Sequence, residues 1–166
     1  MNTASIVKKA NARMELLRRV ASFGASIEDL KTIYILFIRS ILEQSCTVWH
    51  SSLTEQNTND LERVQKSATK IILQENYIGY ENALARLGLE SLKSRREGLC
   101  LDFAKKCTKN SKLKDIFPKN EKEHKMNTRN VEIYKVQHAN TKRCQQSSVI
   151  YMQKLLNEDA KIRKNN

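Results

Sequence analysis

Cys46, Trp49 and His50 fall within five residues in the stretch ILEQSCTVWH, and Trp49 is the chain's only tryptophan. Cys46 and His50 are four apart, so a helix would set them on one face. A thiolate and an imidazole so placed point to two chemistries: a pair of zinc ligands, or a nucleophile with its base. Each needs further groups. Zinc wants two more ligands, and Cys100 and Cys107 sit seven apart on one predicted helix. That is roughly 10 Å along its axis, too far for one ion with bonds of about 2.0–2.3 Å. No C-x-x-C or H-x-x-x-H occurs. A Cys–His dyad needs an orienting third group and an oxyanion hole, and no motif supplies them. The spacing therefore reads as core, with Cys46 and Trp49 packed near a helix end and His50 at its rim. A thiol in such a place behaves as a small hydrophobe. No metal and no cofactor is expected.

Basic residues form the second set with chemical potential. The net charge is +12. Residues 1–90 hold 11 Lys/Arg against 10 Asp/Glu, whereas residues 91–166 hold 19 against 8, a net of +11. Such an excess suits an anionic partner, because Lys and Arg neutralise phosphates and release their counterions. The candidate nucleic-acid-binding residues are Lys93, Arg95, Arg96, Lys105, Lys106, Lys109, Lys112, Lys114, Arg129, Lys142 and Arg143. Lys119, Lys122, Lys125 and Lys135 lie in the same run. The competing reading is a solvated helix face followed by a solubilising tail. Tyr134, Tyr151 and Phe103 could stack on bases, but they are spread out and match no recognition module; Phe103 is expected in the core.

The elements that carry these residues read as helices. Four Gly and one Pro in 166 residues punctuate the chain poorly, which disfavours a sandwich or barrel. Ile6, Val7, Ala10, Met14, Leu17 and Val20 recur at helical steps, up to a stop at Phe23-Gly24. Ser26-Ile27-Glu28-Asp29 opens a second helix with a capping pattern, and its apolar stripe runs from Leu30 through Trp49. Leu61, Val64, Ala68, Ile71 and Ile72 mark a third, Tyr80–Leu87 a fourth that stops at Gly88, and a fifth runs from Ser91 past Cys107. The expectation is an all-α bundle of about five helices over 1–118. A basic polar segment, 119–166, follows, partly ordered and with a short terminal helix over 147–157.

Taken in order, the blocks VKKANARMELLRRVASFG, IYILFIRSILEQSCTVWHSSLT, DLERVQKSATKIIL, ALARLGLESLKSRREGLCLDFAKKC and YMQKLLN resemble the C-terminal portion of reverse transcriptases of non-LTR (LINE-type) retrotransposons. The resemblance covers about Ser5 to Asn157. It implies the thumb and adjoining helices that follow the polymerase palm and help hold a template–primer duplex. The family's catalytic pair of adjacent aspartates has no counterpart: Asp29, Asp60, Asp102, Asp115 and Asp159 are all isolated. The expectation is a remnant that begins just past the palm, is not an enzyme, and binds RNA or DNA backbone weakly and without sequence preference. Its further partner would be a polymerase palm supplied by a longer copy. A thumb parted from its palm should leave an apolar face uncovered, with Tyr34, Phe37, Ile41 and Trp49 as candidates, and should be marginally stable or self-associate. The alternative is a helical protein-interaction module with no nucleic-acid role. No signal peptide is seen, and the most apolar segment, 33–42, is too short to span a bilayer. The expected setting is intracellular, nuclear or cytoplasmic rather than secreted, with no membrane partner and with reduced thiols.

Overall fold

Ile6, Ala10, Met14 and Leu17 are buried along α1, Thr3–Ser22, while Lys8, Lys9, Arg13, Arg18 and Arg19 stay exposed. The apolar period of the sequence is thus the packing face of this helix. Gly24 follows with φ of 79°, a left-handed conformation that costs glycine least. Ser26 then caps α2, Ile27–Ile33: its Oγ accepts from the Asp29 backbone N–H at 3.2 Å and donates to the Asp29 carboxylate at 2.7 Å. The description comes from a computed structural model and covers residues 3–120 and 133–165.

The long second helix expected up to Trp49 is broken. A π-helical segment, Tyr34–Arg39, follows α2, then α3, Ser40–Glu43, and α4, Cys46–Trp49, with a 3₁₀ turn at His50–Ser52. The widened turn keeps Tyr34, Ile38 and Leu42 in line, each fully buried, and leaves Leu36 60% and Phe37 42% exposed. Ser45 takes φ of 53° between α3 and α4, so the break uses a residue that carries no breaker signal. Of the four residues expected on an uncovered face, Tyr34 and Trp49 are in fact buried, Ile41 is half-buried and Phe37 is exposed.

Thr54 caps α5, Glu55–Leu73, by accepting from the Asn57 N–H at 3.2 Å. Leu61, Val64, Ala68 and Ile72 form its buried face, and α1 packs along it. α6, Tyr80–Leu87, ends at Gly88 with φ of 60°, and α7 spans Leu92–Lys109. α8, Lys142–Gln145, is one turn. α9, Ser148–Asn165, is much longer than the short terminal helix expected over 147–157. Among the described residues there is no strand, and the all-α expectation holds. None of the helices among them is long and apolar enough to cross a membrane.

Two compact units result. The first runs up to Cys46 and takes in Leu53–Arg96; the second comprises Thr47–Ser52 and the chain from Glu97 on. The division at Arg96 falls inside α7, where no change of composition marks it. The expected boundary at 118 therefore does not separate compact units, and the described part of 119–166 is not a tail. The second unit has its own core of Cys100, Ala104, Cys107, Phe117, Met152 and Leu156, with Tyr134, Tyr151 and Leu155 packed against it. Phe103 was expected in that core but is 44% exposed, because Cys100, Ala104 and Cys107 form the buried seam of the helix and Phe103 lies beside it.

The interior of the first unit holds a polar knot. Gln65 is fully buried on α5. It accepts from the Tyr34 hydroxyl and donates to the Tyr80 hydroxyl at 2.9 Å and the Glu90 carbonyl at 2.8 Å. Tyr80 donates to the Glu62 carboxylate, which also accepts from the Leu92 N–H at 3.1 Å. Burial pushes the Tyr34 phenol well above its usual value, only partly offset by Arg39. Burial also raises Tyr80, helped by its hydrogen bond to Glu62, and in the second unit burial and then Glu97 raise Tyr151. These phenols hold their protons more tightly folded than unfolded, where a tyrosine titrates near 10. Their contribution to stability is complete below about pH 10 and declines above it as the unfolded chain loses protons first. The melting temperature should fall as pH rises past about 10, and tyrosinate absorbance should be lower in the native chain than in urea at the same pH. Equal ionisation in both states would contradict the buried knot.

Candidate nucleic-acid interface

The Cys–Trp–His stretch is packed into the interior. Cys46 and Trp49 are 3% and 4% exposed, and His50, expected at a rim, is also buried at 9%. The His50 ring meets Tyr151 edge-on at 5.5 Å, and its Nε2 lies 4.0 Å from the Glu97 carboxylate. Ser51 Oγ donates to the Gln146 carbonyl at 2.7 Å. These contacts fasten His50 to α7 and α9, and Ser51 to the link between α8 and α9, inside the second unit. Among the described residues no group of three His, Cys, Asp or Glu side chains could hold a metal.

The basic candidates separate into two groups. Lys93, Arg95 and Arg96 belong to the first unit. Arg96 is fully buried, so its guanidinium is not presented to a phosphate. Arg95 donates to Glu43 at 2.6 Å, and Arg39 lies 3.6 Å from the same carboxylate. With the Glu43 and Arg39 side chains only 13% and 15% exposed, these are packing charges that tie α3 to α7. Lys93 is exposed and lines none of the clefts described below. Arg129 lies outside the described residues.

The second unit brings cations together. A cleft of about 440 Å³ is lined by Lys105, Thr108 and Lys109 of α7, by Ile133 and Tyr134, and by Leu156, Asp159, Ala160 and Arg163 of α9. Thr108 and Tyr134 also line a second cleft of about 450 Å³, with Lys114, Asp115, Phe117, Pro118 and Lys119. The two clefts together carry five cations against two acids. Asp159 is bound on both sides, by Lys105 Nζ at 2.8 Å and by Arg163 Nε at 2.9 Å. It therefore holds Lys105, which is part-buried, and orients Arg163, which is 68% exposed. Lys109, Lys114 and Lys119 are exposed and form no ion pair among the described residues. Lys106 and Lys112 are exposed but line neither cleft, and the same holds for Lys142 and Arg143 on α8.

Sequence reasoning missed Arg163, and with it the role of Asp159. The signal was present as an Asp-x-x-x-Arg spacing, which pairs on a helix, but only if the terminal helix is extended beyond 157. Lys119 was grouped with the tail, and its place opposite Tyr134 depends on chain pairing that composition does not encode. A third cleft, of about 570 Å³ between α1 and α5, is lined by Lys8, Asp60 and Arg63 among others, and there Arg63 is already paired with Asp60 at 3.1 Å. It offers little net charge. No family model matches the chain, and neither the curated proteins nor the solved structures compared with it include a match.

Proposed function

We propose that this chain is a non-catalytic, thumb-like helical piece of a non-LTR retrotransposon reverse transcriptase that holds RNA or DNA through the sugar–phosphate backbone. One observation carries the reading: Lys109, Lys114, Lys119 and Arg163 converge on two adjoining clefts of one unit. Four long cations around two clefts that share Thr108 and Tyr134 suit phosphates spaced along a strand. Among the described lining residues the lysines act as point charges and Arg163 is engaged by Asp159, so the contacts position without selecting sequence. The isolated aspartates leave no pair to hold divalent ions at a primer terminus, so DNA synthesis would need a palm from a longer copy. Such work places the protein in the nucleus or cytoplasm.

The test is direct binding of the full chain to labelled RNA and DNA of equal length and different sequence. The expected Kd is on the order of 10⁻⁴–10⁻⁶ M at physiological salt, with little variation between sequences and no extension of a primed template. Changing Lys8, Lys9 and Arg13 to Gln should leave affinity within about twofold, because those exposed charges stand on α1, in a half of the chain whose charges nearly balance. A larger loss there, or strong sequence preference, would overturn the reading.

A second reading, a protein-interaction module, is favoured by Leu36 and Phe37, 60% and 42% exposed on the π-helical turn. Partner capture or self-association through that turn would be insensitive to salt and abolished by Leu36→Ser with Phe37→Ser.

A further inference from the structure

We infer that the second unit takes single-stranded nucleic acid with one base stacked on Tyr134, between the two phosphate-binding clefts. This rests on the backbone-binding reading and deepens it. Tyr134 lines both clefts and is only partly buried, so a strand running from one to the other passes this residue. Lys109 and Arg163 stand on one side and Lys114 and Lys119 on the other. That is the arrangement of sequence-tolerant single-strand sites, an aromatic platform within a positive groove.

The backbone of Tyr134 is held in place, and its side chain packs against the core of the unit. Asn157, 4% exposed on α9, accepts from the Tyr134 N–H and donates to the Tyr134 carbonyl, both at 2.9 Å. Tyr134 faces Lys119 in an antiparallel bridge, with Asn120 N–H donating to the Ile133 carbonyl at 2.8 Å and Lys135 N–H to the Pro118 carbonyl at 2.9 Å. Bonds on the flanking residues make this the non-hydrogen-bonded type of pair, whose side chains share a face about 4.5–5.5 Å apart at Cβ. Lys119 is therefore carried on the same face as Tyr134, from which its ammonium can reach the phosphate next to a stacked base. A backbone clamped at both its N–H and its carbonyl costs little to order on binding. A duplex keeps its bases stacked on one another and cannot offer one to the ring without unpairing.

The experiment titrates the full chain with three ligands of equal length: a pyrimidine single strand, the same strand made abasic, and a hairpin duplex. The intact strand should bind about 5- to 20-fold more tightly than the abasic one, the lower part of the range for base–aromatic stacking on a half-buried ring. Tyr134→Leu, which keeps an apolar side chain on the core, should erase that difference and leave abasic binding unchanged. Tyr134→Phe should preserve it. Equal binding of intact and abasic strands by the wild type would overturn the inference and leave the backbone reading standing. So would tighter binding of the duplex, or an equal loss on both strands in Tyr134→Leu. Binding of none of the three ligands would remove both.

Discussion

Replacing Gln65 by leucine should lower stability by about 2–4 kcal/mol in urea unfolding, the range for breaking a buried hydrogen-bond network. Leucine has a similar volume, so the loss is polar rather than a cavity. The Tyr34 hydroxyl would lose its acceptor and the Glu90 carbonyl its donor, both in places where α5, the π-helical turn and the start of α7 meet. The knot has no slack to absorb this, since the second Glu62 oxygen is already buried without a hydrogen bond. Adding Tyr34→Phe to Gln65→Leu should restore about 1 kcal/mol, because removing both partners costs less than orphaning one. A Gln65→Leu variant within about 0.5 kcal/mol of wild type would mean that the knot contributes nothing beyond its packing.

Replacing Lys109, Lys114 and Lys119 together by Gln should weaken binding of a labelled strand by on the order of a hundredfold at low salt. The log–log salt slope should flatten by about two to three units, with each lost phosphate contact worth about 0.7 on a single strand and 0.9 on duplex. Lys105 is left out of this set, because Asp159 already occupies it and its removal would also release Arg163. The same number of changes at Lys112, Lys142 and Arg143, which line neither cleft, should cost much less.

Much of the helical layout was legible in the residues, and the reasons are local. The apolar period of α1, the Ser26 cap and the Gly88 stop each declare themselves within a few positions. The π-helical turn does not, because Tyr34–Arg39 contains neither Gly nor Pro and its apolar residues satisfy an ordinary helix period equally well. The break at Ser45 was hidden for the same reason. Burial of charge was equally illegible. Arg95 and Arg96 look like a phosphate-binding pair, yet one is bonded to Glu43, 52 residues away, and the other is wholly enclosed. The clefts were half legible: α7 supplied Lys105 and Lys109 by sequence, but Arg163 reaches the first cleft only through the docking of α9, and Lys119 and Tyr134 are paired only by one bridge.

The most direct test of phosphate binding is the affinity of the unmodified full chain for one labelled single strand across a range of salt concentrations. Five cleft cations, partly offset by Asp115 and Asp159, predict that log K falls against log salt with a slope of about −2 to −4. An affinity independent of salt would contradict phosphate contact and leave the basic clefts as a solvated surface.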